Sequence, residues 1–291
     1  MISTKSKILT LLESNRDCAL SGSAIAKTLN LSRSAVWKGV EELRRDGYEI
    51  EAVTNKGYSL SRKSDILSAE GLLLYLRNPL ITHDKIHVYK IIGSTNQEAK
   101  KLAVAGAGQG TLVIADEQTE GRGRLGRSFF SPQGTGIYMS LILRPRDTDF
   151  EAVSATTAAA SAVCRALSET LNIEAGIKWV NDIFVNDLKV CGILAEAVSD
   201  FQTHSIESLI IGIGINVMTA PESFPDEVRG IAGSLLNTKT AVSRNQLAAA
   251  VLDALLDLIF STDTETMIEE YRSRSFLIGK PISVYRGNET Y

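Results

Sequence analysis

Cysteine is scarce. Cys18, Cys164 and Cys191 are odd in number and far apart in 291 residues, which argues against a disulfide framework or a zinc site and for a reducing cytoplasm. Histidine is as rare, with three in the chain. His83 and His87 are four apart, but His87 opens the strand-like run HVYKII. With no glutamate or third ligand near them in sequence, they read as structural. Long hydrophobic runs are missing too. The longest candidates, near Leu209–Val217, are strand-sized and broken by glycine, so no membrane partner is expected. Lys5 and Lys7 are not followed by a long apolar stretch with a cleavage site, so no export signal is expected and the localisation reads as cytoplasmic.

What is present is a globular composition, 44% hydrophobic and 22% charged, in a chain long enough for a full core and a smaller domain. Charge is uneven. Residues 1–63 carry 11 Lys/Arg against 7 Asp/Glu (net +4), and the remainder 20 against 27 (net −7). A basic head on an acidic body suggests that the head meets a polyanion. The head reads as three helices and a hairpin. Lys5–Glu13 places Ile8, Leu11 and Leu12 on one face. Ser21 or Ser23 caps a second helix burying Ala24, Ile25 and Leu29. Ser32 caps a third with Val36, Val40 and Leu43 as its core stripe, ending near Gly47. Tyr48–Val53 and Tyr58–Leu60 alternate as strands around a turn through Asn55-Lys56-Gly57. This is a winged helix-turn-helix pattern. Arg33, Ser34 and Lys38 lie near the leading end of the recognition helix and Lys56 at the wing tip, the positions for DNA bases and phosphates. The same fold also serves for protein docking, and Trp37 could pack against the second helix.

The rest of the chain is organised around Gly121–Pro132, GRGRLGRSFFSP. Three glycines among three arginines leave a backbone expected to be poorly ordered until an anion sits between the guanidiniums. It is neither a P-loop nor a dinucleotide fingerprint, because no Lys-Ser/Thr closes it and no helix follows. A strand over Ile86–Ile92 leads through Ser94-Thr95-Asn96 into a helix to about Ala105, a corner that offers hydroxyls and helix N-terminal amides to a polar group, or simply an N-cap. Thr111–Asp116 feeds Gln118 into the arginine loop. Ile137–Leu143 is a strand and Phe150–Leu171 a helix. Ile183–Val185 and Leu188–Glu196 form a hairpin over Asn186-Asp187. Strict alternation puts Lys189 with Cys191 and Ile193, and a lysine among apolar residues needs an anionic partner. Ile206–Ile213 pairs next and ends in GIGIN. Pro221–Ser234 reads as an ordering loop or lid, and Arg244–Phe260 and Thr264–Phe276 as helices.

In this order and spacing, GRGRLGRSFFSP, KWVNDIFVNDLKVCGILAE and GIGINV resemble the biotin protein ligases. The winged head with its NKGYSL wing resembles the bifunctional form that is also the biotin operon repressor. The resemblance covers essentially the whole chain. Lipoate ligases share the fold but lack the arginine-glycine loop. Val180 stands where members often have proline. Ile282–Tyr285 is expected to begin an SH3-like barrel that this sequence does not complete. The implied class is α+β: a winged helix-turn-helix over 1–63, a class II synthetase-like catalytic domain over 64–277 with a mixed sheet and flanking helices, and the start of a barrel over 278–291.

The resemblance implies an ATP-dependent biotin–[biotin carboxyl carrier protein] ligase that makes biotinyl-5′-AMP and passes biotin to a carrier lysine. It also implies that the adenylate-bound homodimer represses transcription at operator DNA. The alternatives are a non-catalytic or weakened biotin sensor and a lipoate or octanoate ligase. ATP, biotin and Mg2+ are implied. By motif position, Lys189, Arg124 and Asp182 are the catalytic residues. Asp182 either orients or deprotonates the incoming lysine, or holds magnesium. Ser94, Thr95, Asn96, Gln118, Arg122, Gly123, Arg124, Lys189, Gly192, Gly212 and Asn216 bind biotin or the adenylate. Gly192, Gly212 and Gly214 are expected to let the fused rings lie close to the sheet, and Trp179 to be a packing residue.

Overall fold

The computed structural model describes residues 3–16, 18–53, 56–144, 152–199, 206–236, 242–283, 285–286 and 289–290. The expected turn residue Asn55 and helix start Phe150 lie outside these.

The head consists of α1 (Thr4–Glu13), α2 (Gly22–Leu29), α3 (Arg33–Arg45) and an antiparallel wing of β1 (Ile50–Val53) and β2 (Gly57–Leu60). Ser21 and Ser32 cap α2 and α3 by accepting hydrogen bonds from Ala24 N and Ala35 N. Asn30 ends α2 in the left-handed conformation (φ 52°). Ile8, Leu12, Ile25, Val36, Val40, Leu43 and Leu60 are fully enclosed as one core, each contributing about 1.5–3 kcal/mol by burial. Gly39 is where α3 crosses α1: a Cβ there would lie 2.5 Å from Ile8 Cδ1. Arg33, Ser34, Lys38 and Lys56 are exposed. Trp37 is 56% exposed.

The connector to the body is held from both sides. Arg16, paired with buried Glu13, donates to the carbonyls of Ser61 and Ser64. On the other side Arg244, 3% exposed, binds the Asp65 carboxylate and carbonyl. Its Nη1 continues to Asp116 (2.6 Å) and the Gly136 carbonyl. Asn245 binds Ser68 N and Ile66 O.

The body carries a seven-stranded mixed sheet. Its strands are β3 (Ile86–Tyr89), β4 (Leu112–Ala115), β5 (Gly136–Leu143), β6 (Gly176–Lys178), β7 (Asp182–Val185), β8 (Leu188–Ser199) and β9 (Ile206–Asn216), in the order β3-β4-β5-β9-β8-β7-β6. β3 and β4 run parallel and all other pairs antiparallel. One face packs on α6 (Ala152–Leu171) and α7 (Arg244–Phe260), with α4 (Ala69–Tyr75) and α8 (Thr264–Arg274) beside them, over an aliphatic core that includes Ile137, Met139, Leu141, Ile211 and Ile215. The other face carries α5 (Thr95–Val104), seated on Val113, Ile142 and Ile210 through Ala99 and Ala103. Short α5 covers only part of that face, and the remainder is the site.

One local feature corrects the sequence reading. The β7–β8 hairpin turns through Asn186 and Asp187 at φ 49° and 62°, the conformation that such two-residue loops require. One step later the register slips: Ile183 opposes Cys191 but Phe184 opposes Lys189, leaving Val190 extra. This bulge breaks the alternation, so Lys189 lies on the Gly192 face, while Val190 and Cys191 are both buried in the core. Of the expected SH3-like barrel, the described residues contain only β10 (Tyr285–Arg286) paired with β11 (Glu289–Thr290). No helix among the described residues is long and apolar enough to cross a membrane.

Candidate functional site

Along β9 the residues facing away from the large core are Ile210, Gly212, Gly214 and Asn216. Register places Ser140 and Leu194 beside Gly212, and Tyr138 and Gly192 beside Gly214. Small residues in adjacent strands leave a trough, and a cavity of about 790 Å³ opens over it. Ser94, Thr95, Asn96, Gln118, Arg122, Gly123, Arg124, Asp182, Lys189, Gly192, Gly212, Gly214 and Asn216 all line it. The three sequence motifs and the Ser-Thr-Asn corner therefore converge on one place.

The arginine loop folds as a tight excursion. Its base is closed by Phe129 N to Gly121 O (2.8 Å) and Gly123 N to Arg127 O (2.7 Å). Gly121 is required there, because a Cβ would lie 2.2 Å from the Phe129 carbonyl. Arg122, Arg124 and Arg127 are exposed around the mouth. Arg124 Nη1 donates to Asn181 Oδ1 (3.0 Å), and Asn181 Nδ2 to Ile193 O (2.9 Å), latching the loop to the hairpin. Lys189 Nζ stands 2.7 Å from Asp182 Oδ1, which supplies its expected anionic partner. At the inner end, Gln118 Oε1 accepts from Thr95 N (2.8 Å) and Thr95 Oγ1 (3.0 Å). Ser94 sits at the N-cap position of α5, yet its side chain makes no capping hydrogen bond.

The glycines serve protein groups. A Cβ on Gly214 would meet the Phe129 ring at 2.5 Å, and one on Gly192 would meet it at 3.1 Å. Phe129 thus lies over the glycine pair and edge-on to Tyr138. A Cβ on Gly212 would lie 2.1 Å from Asn96 Oδ1. Both Asn96 N–H groups and one of its acceptor sites are spent on Leu194 O, Glu196 and Ser140. Gly212 and Asn96, expected as ligand contacts, line the cavity and also fit each other, because the close approach of the helix end to the strand leaves no room for a side chain.

Several site residues escaped the sequence reading. Phe129 and Phe130 were noted in the motif without a role. Phe130 packs on Phe224 of the 221–234 loop. That loop is stitched to the bulged end of β8 by Lys189 N to Ile231 O and Gly233 N to Lys189 O, and its Phe224, Glu227 and Val228 line the cavity. Trp179, expected as packing, is 69% exposed. Asn216 Oδ1 is buried with no hydrogen-bond partner among the described residues, while its Nδ2 binds Gly233 O. His83 does have a carboxylate beside it, Glu70 at 3.3 Å. Among the described residues no cluster of three or more His, Cys, Asp or Glu forms a metal centre.

Residues 88–216 match the model of the Biotin/lipoate A/B protein ligase family, and residues 4–59 match an HTH domain model. The Bifunctional ligase/repressor BirA of Bacillus subtilis is 44% identical over 216 residues, 74% of this chain and 66% of that protein. The chain thus spans just under two thirds of that relative's length. The Biotin--[acetyl-CoA-carboxylase] ligase of Mycobacterium tuberculosis is 34% identical over 200 residues, 66% of this chain and 71% of that one. Among solved structures, the biotin protein ligase from Aquifex aeolicus in complex with biotin and ATP superposes with a TM-score of 0.61 at 28% identity, covering 71% of this chain and 84% of that one. With an HTH head, a cavity built from all three motifs and relatives at this level of identity, the chain belongs to the biotin protein ligase family.

Proposed function

We propose that this chain activates biotin with ATP and transfers the biotinyl group to a lysine of a biotin carboxyl carrier protein. Its winged head would act at operator DNA as a biotin-responsive repressor. The observation that carries the reading is the convergence of Arg122, Arg124, Arg127 and Lys189 on a cavity whose inner end is neutral and polar. Four cations at one end suit a carboxylate meeting a triphosphate. Thr95 and Gln118 at the other suit a ring bearing amide-like groups.

In the first step a biotin carboxylate oxygen bonds to the α-phosphorus of ATP, the bond to the β-phosphate bridging oxygen breaks, and pyrophosphate leaves. Two anions must approach each other, so fixed cations that strengthen their hold as charge builds lower the barrier. Lys189 and Arg124 suit this role, and their present partners are Asp182 and Asn181. In the second step the carrier amine bonds to the acyl carbon and AMP leaves. Asp182 orients the incoming lysine or takes its proton. Magnesium fits the oxygen donors here: the unpartnered Asn216 Oδ1 and the Asp182 carboxylate share the cavity, and both are hard ligands. When bound, the ion would offset phosphate charge. The exposed Arg33, Ser34, Lys38 and Lys56 suit a DNA groove and its phosphates, and the adenylate-bound chain would act there as a homodimer.

Biotin-dependent ATP–pyrophosphate exchange tests the reading, with lipoate as control acid. Exchange is expected with biotin only, and Lys189→Ala is expected to lower it about a hundredfold or more. Exchange with neither acid, in a chain that melts cooperatively, would favour a biotin sensor without catalysis.

A further inference from the structure

Beneath the inner end of the cavity runs an unbroken chain of polar side chains. Lys100 Nζ binds Glu196 Oε1 (2.5 Å), and Glu196 Oε2 accepts from Asn96 Nδ2 (2.8 Å). Asn96 Oδ1 accepts from Ser140 Oγ (2.6 Å), which lies 2.8 Å from Thr95 Oγ1. Thr95 meets Gln118, whose Nε2 donates to Ser131 Oγ (2.9 Å), and Ser131 Oγ donates to the Phe129 carbonyl. Ser140 is fully enclosed and Asn96 is 4% exposed. The first link is half-exposed at the protein surface and the last is the arginine loop.

A serine hydroxyl carries one proton, and Ser140 has two acceptors within reach. That proton serves Asn96 Oδ1 or Thr95 Oγ1 in turn, while Thr95 donates its own to Gln118 Oε1 and keeps a lone pair for a donor in the cavity. Glu196 fixes this state by holding the Asn96 amide with its oxygen toward Ser140. Lys100 offsets the charge that a half-buried carboxylate would otherwise bring toward the ring end of the site.

We propose that Asn96, Ser140 and Glu196 are positioning residues, a polar strut anchored by Lys100 that holds Thr95 and Gln118 in the geometry that grips the ring end of the acid. None of the three touches the reacting atoms. The inference rests on the biotin reading above.

The test is steady-state pyrophosphate exchange with biotin and ATP varied separately, alongside thermal melting. Ser140→Ala leaves Asn96 Oδ1 without its donor and is expected to raise the biotin KM about tenfold. The ATP KM and kcat at saturating biotin stay within about twofold. Glu196→Ala is expected to match it, and Glu196→Gln, which keeps an acceptor oxygen, to recover to within about threefold of wild type. Because the residues act as one unit, Ser140→Ala/Glu196→Ala is no worse than the poorer single variant. Should a buried variant fail to fold, Lys100→Met at the exposed end is expected to raise the biotin KM about threefold. An unchanged biotin KM, an equal rise in both KM values, or single effects that multiply would overturn the strut while wild-type exchange stands. A wild-type chain without biotin-dependent exchange would overturn the ligase reading on which the strut rests, and the strut with it.

Discussion

The two faces of the central sheet are made by the same strands and have opposite characters. Toward α6 and α7, β5 and β9 present Ile137, Met139, Leu141, Leu209, Ile211 and Ile215, all dry and tightly packed. On the other side the same strands present Tyr138, Ser140, Gly212, Gly214 and Asn216, and the surface is a trough with a buried polar chain at its end. One face has side chains where the other has space. The first supplies the free energy of folding, and the second gives up packing so that Phe129, Asn96 and a ligand can approach the backbone.

Ile211→Ala would test this division most forcefully. It should cost about 2–5 kcal/mol in chemical denaturation while leaving the biotin KM where it was, and a changed KM would break the comparison. Gly214→Ala, three residues along the same strand on the other face, reverses the expectation. The added methyl displaces the Phe129 ring, the end of a loop side chain that can swing aside. Biotin affinity is expected to fall about thirtyfold, equivalent to ~2 kcal/mol, with the melting temperature nearly held. A large drop in melting temperature would show that this face also carries the fold. The smallest effect concerns thiols. Burial pushes the Cys164 thiol up to about 12 and the Cys191 thiol well above its ordinary value. Both should therefore resist iodoacetamide at pH 8, while exposed Cys18 reacts. Intact-mass measurement should show one adduct per native chain and three after denaturation.

Much of this was legible in the sequence because it is local. Serine caps before apolar stripes gave α2 and α3, and Asn186-Asp187 gave the hairpin. The cavity residues were found because their motifs are dense in glycine and arginine. What stayed hidden is non-local. The three-residue edge strand β6 is too short to show a period. The bulge at Val190 is masked by two apolar residues in succession, and that succession was its one visible signal. The fit of Asn96 to Gly212 joins positions that no local pattern connects. Arg244 opens its helix and looks like an ordinary solvated cation, but tertiary packing makes it a buried hub for Asp65 and Asp116.

The connector that Arg16 and Arg244 grip has a consequence for reading DNA. A head on a loose tether could tilt and slide to match half-sites at several separations. This head is docked, with its joint hydrogen-bonded to Arg16, just past α1, on one side and to Arg244 of α7 on the other. Two copies associating through their bodies would therefore present their recognition helices as the fixed jaws of a caliper. One inserted base pair moves a half-site about 3.4 Å along the duplex and turns it by about a tenth of a helical turn. If the proposed operator binding by a homodimer holds, such a pair of heads would measure the distance between half-sites.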